Sequence, residues 1–215
     1  MLTAKVLIKK TALSAYSHPR RGGIVGIGLE PGDKLIRVVR SDGHQEILLA
    51  TEQGKAIRFS ESQVRDMGRG AKGVKAITLA KKDKVIGMSF CPKGTTVLTV
   101  TANGFGKRTP VDQYRTQSRG GKGIINLKIT KKNGEALGLF TVGDKDEVML
   151  ITHNGQMIRC PIKGIRTTGR ASQGVRLMRL GPKDTLAAVA TVVPEEHEAE
   201  TEIPADEKPA SPKEI

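Results

Sequence analysis

The chain has 215 residues, a formal charge of +14, and only four Phe, two Tyr and no Trp. That length can bury a core of its own, and no apolar run approaches a membrane span or the apolar stretch of a signal peptide. Cys91 and Cys160 are too few and too unpatterned for a disulfide scaffold or a zinc site, which points to a reducing, cytoplasmic setting.

Taken in order, the chain repeats itself. Residues 1–23 hold the second half of a unit, and units follow at 24–73, 74–123 and 124–174. Residues 175–193 hold a first half. Each first half opens on alternating apolar residues (GVKAITL, GIINLKI, GVRLMRL) and a turn (PGDKLIRV, KKDKVIGM, KNGEALGL, PKDTLAAV). A hairpin follows at 46–59, 96–109 and 147–160. Gln53-Gly54, Asn103-Gly104 and Asn154-Gly155 supply residues that tolerate positive φ at its tip. Five residues on stands an apolar position, Val64, Tyr114 or Ile165, with Tyr16 in the first copy. Then comes a basic loop: MGRGAKG at 67–73, QSRGGKG at 117–123 and TGRASQG at 168–174. A degenerate copy, PRRGGIVGIGL, runs from Pro19 to Leu29. The flanking runs are β-branched and aliphatic, and none keeps a helical period.

Four short strands in roughly fifty residues is the size of one propeller blade, and such a blade must stack on its neighbours to bury its faces. The expected fold is therefore all-β, a propeller-like repeat of about four blades. The half units at 1–23 and 175–193 could pair into a blade that closes a ring, or the chain could form an arc. From Pro194 onward the tail holds eight acids and two bases, with few apolar residues, and is expected to be disordered. Residues 1–193 then carry 34 Lys and Arg against 14 Asp and Glu, a charge of +20. A basic body with an acidic tail suggests a polyanion partner and an intramolecular competitor for it.

Catalysis has little support in the residues. The histidines His18, His44, His153 and His197 show no metal spacing, and no cofactor motif is present. Tyr16 and Tyr114 share a slot with Val64 and Ile165, which reads as core. Asp33, Asp83 and Asp184 recur in one turn and are expected to shape it. The glycine-rich loops lack the strand–loop–helix setting and the Gly-Lys-Ser/Thr of a nucleotide loop.

Binding has more. Backbone N–H groups of a glycine-rich loop can approach phosphates closely, and Arg or Lys neutralise them. The candidates are Arg20 and Arg21; Arg65, Arg69 and Lys72; Arg115, Arg119 and Lys122; Arg166 and Arg170. A second set follows the hairpins: Arg58, Lys107, Arg108 and Arg159. Aromatic platforms for single strands and a recognition helix are both missing. Repeated backbone contacts on a curved rim suggest duplex DNA bent around the protein, with little base readout.

The segments IKKTALSAYSHPRRGG, SESQVRDMGRGAKGVKAI, TANGFGKRTPVDQY, QSRGGKG, DEVMLITHNGQMIR and GRASQGVRLMRL resemble, over residues 3–190, the C-terminal domain of the DNA gyrase A subunit. The resemblance implies a β-pinwheel, whose blades exchange strands and whose rim wraps DNA with positive handedness so that the whole enzyme can introduce negative supercoils. The partners it implies are a gyrase A catalytic core and a gyrase B subunit, and it gives the acidic tail a regulatory role. Gln117, Arg119, Gly120, Gly121, Lys122 and Gly123 match the family's hallmark box, with Ser118 replacing a basic residue. In the family that box lies in the first blade, whereas here it lies in a late one, the usual first blades being absent. The breakage–reunion domain and its tyrosine are missing too, so the chain is not expected to cut DNA alone.

Overall fold

A computed structural model describes residues 1–192; the acidic tail from Pro194 lies outside the described residues. Fifteen strands and four 3-10 turns make up the regular structure, with no α-helix among the described residues. The strands are β1 (Leu2–Thr3), β2 (Leu7–Ile8), β3 (Leu35–Arg37), β4 (Glu46–Thr51), β5 (Lys55–Ser60), β6 (Val74–Lys75), β7 (Val85–Phe90) and β8 (Thr96–Thr101). They continue as β9 (Phe105–Pro110), β10 (Ile124–Ile125), β11 (Ala136–Val142), β12 (Glu147–Thr152), β13 (Met157–Pro161), β14 (Val175–Arg176) and β15 (Leu186–Val192).

The hairpins form where the turn residues lead. Gly54, Gly104 and Gly155 hold φ of 79°, 75° and 82° at the tips of β4–β5, β8–β9 and β12–β13. The hairpins do not pair within their own sequence unit. Four antiparallel sheets run β3-β1-β2-β6, β7-β4-β5-β10, β11-β8-β9-β14 and β15-β12-β13. Each of the first three joins a hairpin to the long strand of the next unit and to a two-residue strand from the unit after its basic loop. The all-β, strand-exchanging fold is thus present. The two half units do not pair with each other. The hairpin of residues 1–23 is completed by β3 and β6, and β15 completes the sheet of β12 and β13. Exchange along the chain uses up each half where it stands, so the described residues reach four sheets without joining their ends.

The apolar core lies between consecutive sheets. On β4, Ile47 and Leu49 face a cluster with Leu2, Ile8 and Phe59, while Leu48 and Ala50 face a second cluster with Val97, Val111 and Tyr114. A third cluster joins Leu98 and Val100 to Val148 and Leu150. Inner strands are buried on both faces, which is why EILLAT and TVLTVT are nearly continuous apolar runs. Strand β12 buries one face fully, at Val148, Leu150 and Thr152, and leaves Met149 and Ile151 half-exposed.

The recurring acid shapes its turn and links units. Asp33 Oδ1 accepts the N–H groups of Lys5 and Lys34, each at 2.8 Å. Asp83 accepts those of Gln53 and Lys84, and Asp184 those of Asn154 and Thr185. In the third turn Asn133 takes the place, accepting from Thr130 at 2.7 Å and donating to Lys128 O and Gln173 O. Strands β3, β7, β11 and β15 together line a central cavity of about 240 Å³, with Ile36, Ile86, Phe140 and Val189 on its wall. The opposite edge of each four-stranded sheet is the short strand that follows a basic loop, so these loops lie at the rim.

Candidate nucleic-acid interface

Each rim loop begins after a 3-10 turn (Glu61–Gln63, Val111–Gln113 or Ile162–Gly164) and ends on its glycine. Gly73, Gly123 and Gly174 hold φ of 109°, 69° and 80°. A Cβ there would come within 2.7 Å of Ile8 O, 2.5 Å of Ala56 O and 2.7 Å of Gly106 O. Positive φ and close backbone approach each demand glycine, and together they seat the outer strand against its hairpin.

The loop at 117–123 is stitched to the preceding unit. Gln63 Oε1 accepts the Arg119 N–H at 2.7 Å, and Gln63 Nε2 donates to Gln117 O at 3.3 Å. The Arg119 guanidinium donates from Nε to Gln63 O at 3.0 Å and from Nη1 to Lys75 O. Gly120 N–H donates to Ala76 O at 2.8 Å, and Thr78 donates from Oγ1 to Gly120 O and from N–H to Gly121 O. The loop at 168–174 repeats the device: Gln113 Oε1 accepts the Arg170 N–H, and Arg170 Nη1 donates to Ile125 O. Arg119 and Arg170 are therefore half-buried and shape the loops that carry them. The two glutamines were not among the sequence candidates; the signal was there in ESQV and VDQY, one residue before the apolar slot.

A buried lysine anchors the other two loops. Lys9 Nζ donates to Gly68 O and Arg69 O, and Lys107 Nζ to Gly169 O at 2.9 Å, Arg170 O at 2.6 Å and Thr109 Oγ1 at 3.1 Å. Beneath the loop at 117–123 the equivalent residue is Ile57, whose side chain lies under Gly121. Burial, and then the Arg170 charge, push the Lys107 ammonium down to about 7.

The second cation set is corrected by this geometry. Lys107 is fully buried and Arg108 nearly so. Arg108 Nε donates to Ile165 O at 2.9 Å, and its Nη1 pairs with Asp144. Arg58 donates to Val111 O and Tyr114 O and pairs with Glu46. Arg159, more exposed, pairs with Glu147. Three of these cations are held by carbonyl oxygens from a neighbouring unit, which fixes one sheet on the next and removes Lys107 and Arg108 from the surface. Tyr114 is core, as expected: its hydroxyl donates to Asn126 Oδ1 at 2.6 Å, and burial pushes it above the usual phenol range.

Arg65, Lys72, Arg115, Lys122 and Arg166 are exposed on the loops, as are Arg20 and Arg21 in the first copy; Arg69 is half-buried. Lys72 lies 3.6 Å from Glu30, whereas Arg20, Arg21, Arg65, Arg115, Lys122 and Arg166 make no salt bridge among the described residues. An open groove beside the loop at 117–123 is lined by Gln63, Arg115, Gln117 and Ser118, and Gln117 Nε2 has no partner there among the described residues. Outer-strand residues Lys75 and Arg176 add exposed cations, two positions beyond the closing glycines, which the loop motif did not include.

Fold and rim together define a strand-exchanging, propeller-like repeat domain whose outer edge presents glycine-closed basic loops. The chain belongs to the family of the DNA gyrase C-terminal domain, beta-propeller, which matches residues 3–42, 45–92, 95–142 and 146–192. It is 41% identical over 193 residues, 89% of its length, to the DNA gyrase A protein of Salmonella typhimurium. It is also 41% identical over 211 residues, 97% of its length, to that of Staphylococcus aureus. It spans 22% and 23% of those two relatives. Among solved structures it resembles the C-terminal domain of DNA topoisomerase IV, with a TM-score of 0.84 and 26% identity, covering 89% of this chain and 60% of that one. It also shares the fold of a DNA gyrase A C-terminal domain, with a TM-score of 0.75 and 22% identity, covering 88% of this chain and 64% of that one.

Proposed function

We propose that the rim binds duplex DNA through its phosphates and bends it around the domain, as the wrapping module of a gyrase A protein. The observation that supports this best is the repeated outer edge, where Arg65 and Lys72, Arg115 and Lys122, and Arg166 recur on successive glycine-closed loops. Contacts of this kind position a duplex without reading its bases. Bending a 20–30 bp site costs roughly 1–6 kcal/mol, which several distributed cations offset. The module supplies no bond-breaking step. With a gyrase A catalytic core and gyrase B in the cytoplasm, wrapping would bias strand passage toward negative supercoils. Membership of the gyrase family, relatives that are gyrase A proteins, and a body of +20 support this reading.

Relaxed plasmid incubated with the chain and a nicking-closing enzyme tests it. A change in linking number that grows with protein is expected, with duplex affinity falling steeply as salt rises. Absence of duplex binding at low salt would overturn the proposal. The likeness to a topoisomerase IV domain favours a second reading, in which the rim bends DNA without completing a wrap. Duplex binding with no linking-number change selects it.

A further inference from the structure

Strand exchange leaves one donor and one acceptor unused. Three times, a positive-φ glycine and the two residues after it add to the outer strand of an earlier hairpin. The pairs are Val74 with Ile8, Ile124 with Ala56 and Val175 with Gly106. The residue after each pair then donates its N–H to the hairpin tip: Ala76 to Val6 O, Asn126 to Gly54 O and Leu177 to Gly104 O. At two tips an apolar side chain, Ile129 or Leu180, closes over the glycine.

The first copy of the loop has the same form without a seat. Gly23 already holds φ of 80°, and a Cβ added there would meet nothing within 4 Å. Val25, in the slot of Lys75, Ile125 and Arg176, is 66% exposed, and Leu29, in the slot of Ile129 and Leu180, is 44% exposed. At the other end, β13 carries no fourth strand among the described residues. Its tip glycine, Gly155, would also meet nothing within 4 Å, where Gly54 would collide with Leu127 O at 2.2 Å. Met157, in the slot of Ala56, is 55% exposed. These open positions are the two halves of the contact made three times inside the chain.

We propose that Gly23–Val25 of one copy adds as the fourth strand to β13 of a second copy, so that the chain associates head to tail. The register of the three seated strands places Ile24 opposite Met157 and Val25 opposite Gln156. The Gly26 N–H then meets Gly155 O, and Leu29 covers Gly155. One copy offers one donor and one acceptor, so the contact is heterologous and two copies can close on each other by making it twice. Two linked contacts give an association much stronger than a two-residue ladder alone. The inference is independent of DNA binding.

Opposed residues of an antiparallel pair have Cα atoms about 4.5–5.5 Å apart, within disulfide range. The test is DNA-free and carries Cys160→Ser to remove the half-buried thiol. Chains bearing Val25→Cys are mixed with chains bearing Gln156→Cys and oxidised. A two-chain product joined through residues 25 and 156 is expected, together with a mass that rises with concentration in sedimentation. Val25→Lys with Gln156→Lys should abolish that rise, and Val25→Lys with Gln156→Glu should restore it. A single-chain mass at every concentration with no product from the mixture would overturn the proposal. So would a disulfide formed only within one chain carrying both cysteines, which would show that the same ends meet intramolecularly.

Discussion

The Gln63 side chain and backbone hold Arg119 twice over: Oε1 accepts the Arg119 N–H at 2.7 Å, and Gln63 O accepts from Nε at 3.0 Å. A neutral residue fifty-six positions earlier in the chain therefore fixes the arginine at the centre of the best-matched rim loop. Charge and loop shape are separable at this rim, and the two respond differently to substitution.

Gln63→Ala removes no charge, yet it is expected to lower stability by about 1 kcal/mol, the usual net worth of a hydrogen bond. It should also raise amide exchange at residues 117–121 and weaken duplex binding. Lys122→Ala, at an exposed residue, should leave the melting temperature unchanged and reduce the salt slope of duplex binding by about 1. Thermal denaturation, hydrogen exchange and salt-dependent anisotropy separate the two. If Gln63→Ala left exchange and affinity untouched, the loop would not depend on this tether.

Gly54→Ala and Gly155→Ala change the same turn position in two hairpins. At Gly155 only the left-handed conformation is penalised, about 1 kcal/mol. At Gly54 the added methyl also meets Leu127 O at 2.2 Å, on backbone that cannot step aside. Gly54→Ala should therefore cost about 2 kcal/mol more, roughly the scale of overpacking a core. Urea denaturation of the two variants measures the difference.

Lys107 makes stability depend on pH. Its folded pKa, about 7, lies below the ordinary 10.5, so the unfolded chain binds the proton more tightly. Between about pH 7 and 10.5 the unfolded state carries more protons, and stability rises with pH there. It is lost again as pH falls toward 7, with a slope of up to about 1.4 kcal/mol per unit. Below 7 both states are protonated and this contribution is flat. Lys107→Met should remove the slope, as read from denaturation midpoints at pH 7, 8 and 9.

Truncation after Val193 removes eight acids and two bases and raises the net charge from +14 to +20. Duplex affinity should rise, most strongly at low salt, because an acidic segment tethered to a basic rim competes with DNA. Anisotropy titrations of the full and truncated chains at two salt concentrations test this. Unchanged or weaker affinity in the truncated chain would exclude competition by the tail.

Much of the architecture was legible in the residues. Repeated Gly-closed loops, tip glycines at 54, 104 and 155, and runs such as EILLAT determined short strands, hairpins and an all-β repeat, because turn chemistry and side-chain alternation act locally. The recurring Asp33, Asp83 and Asp184 were correctly read as turn-shaping, since a side chain that accepts neighbouring N–H groups needs only a few residues of context. Tertiary structure decided the partners. Lys107 and Lys122 are the same residue type a few positions apart in one unit, yet one is buried under carbonyl oxygens and the other lies in solvent. No local pattern separates them, because the carbonyls that bind Lys107 come from residues 169 and 170, more than sixty positions away. The same holds for the half units: composition made them complementary, and only the exchange of β6, β10 and β14 into earlier hairpins decided that they do not complete each other.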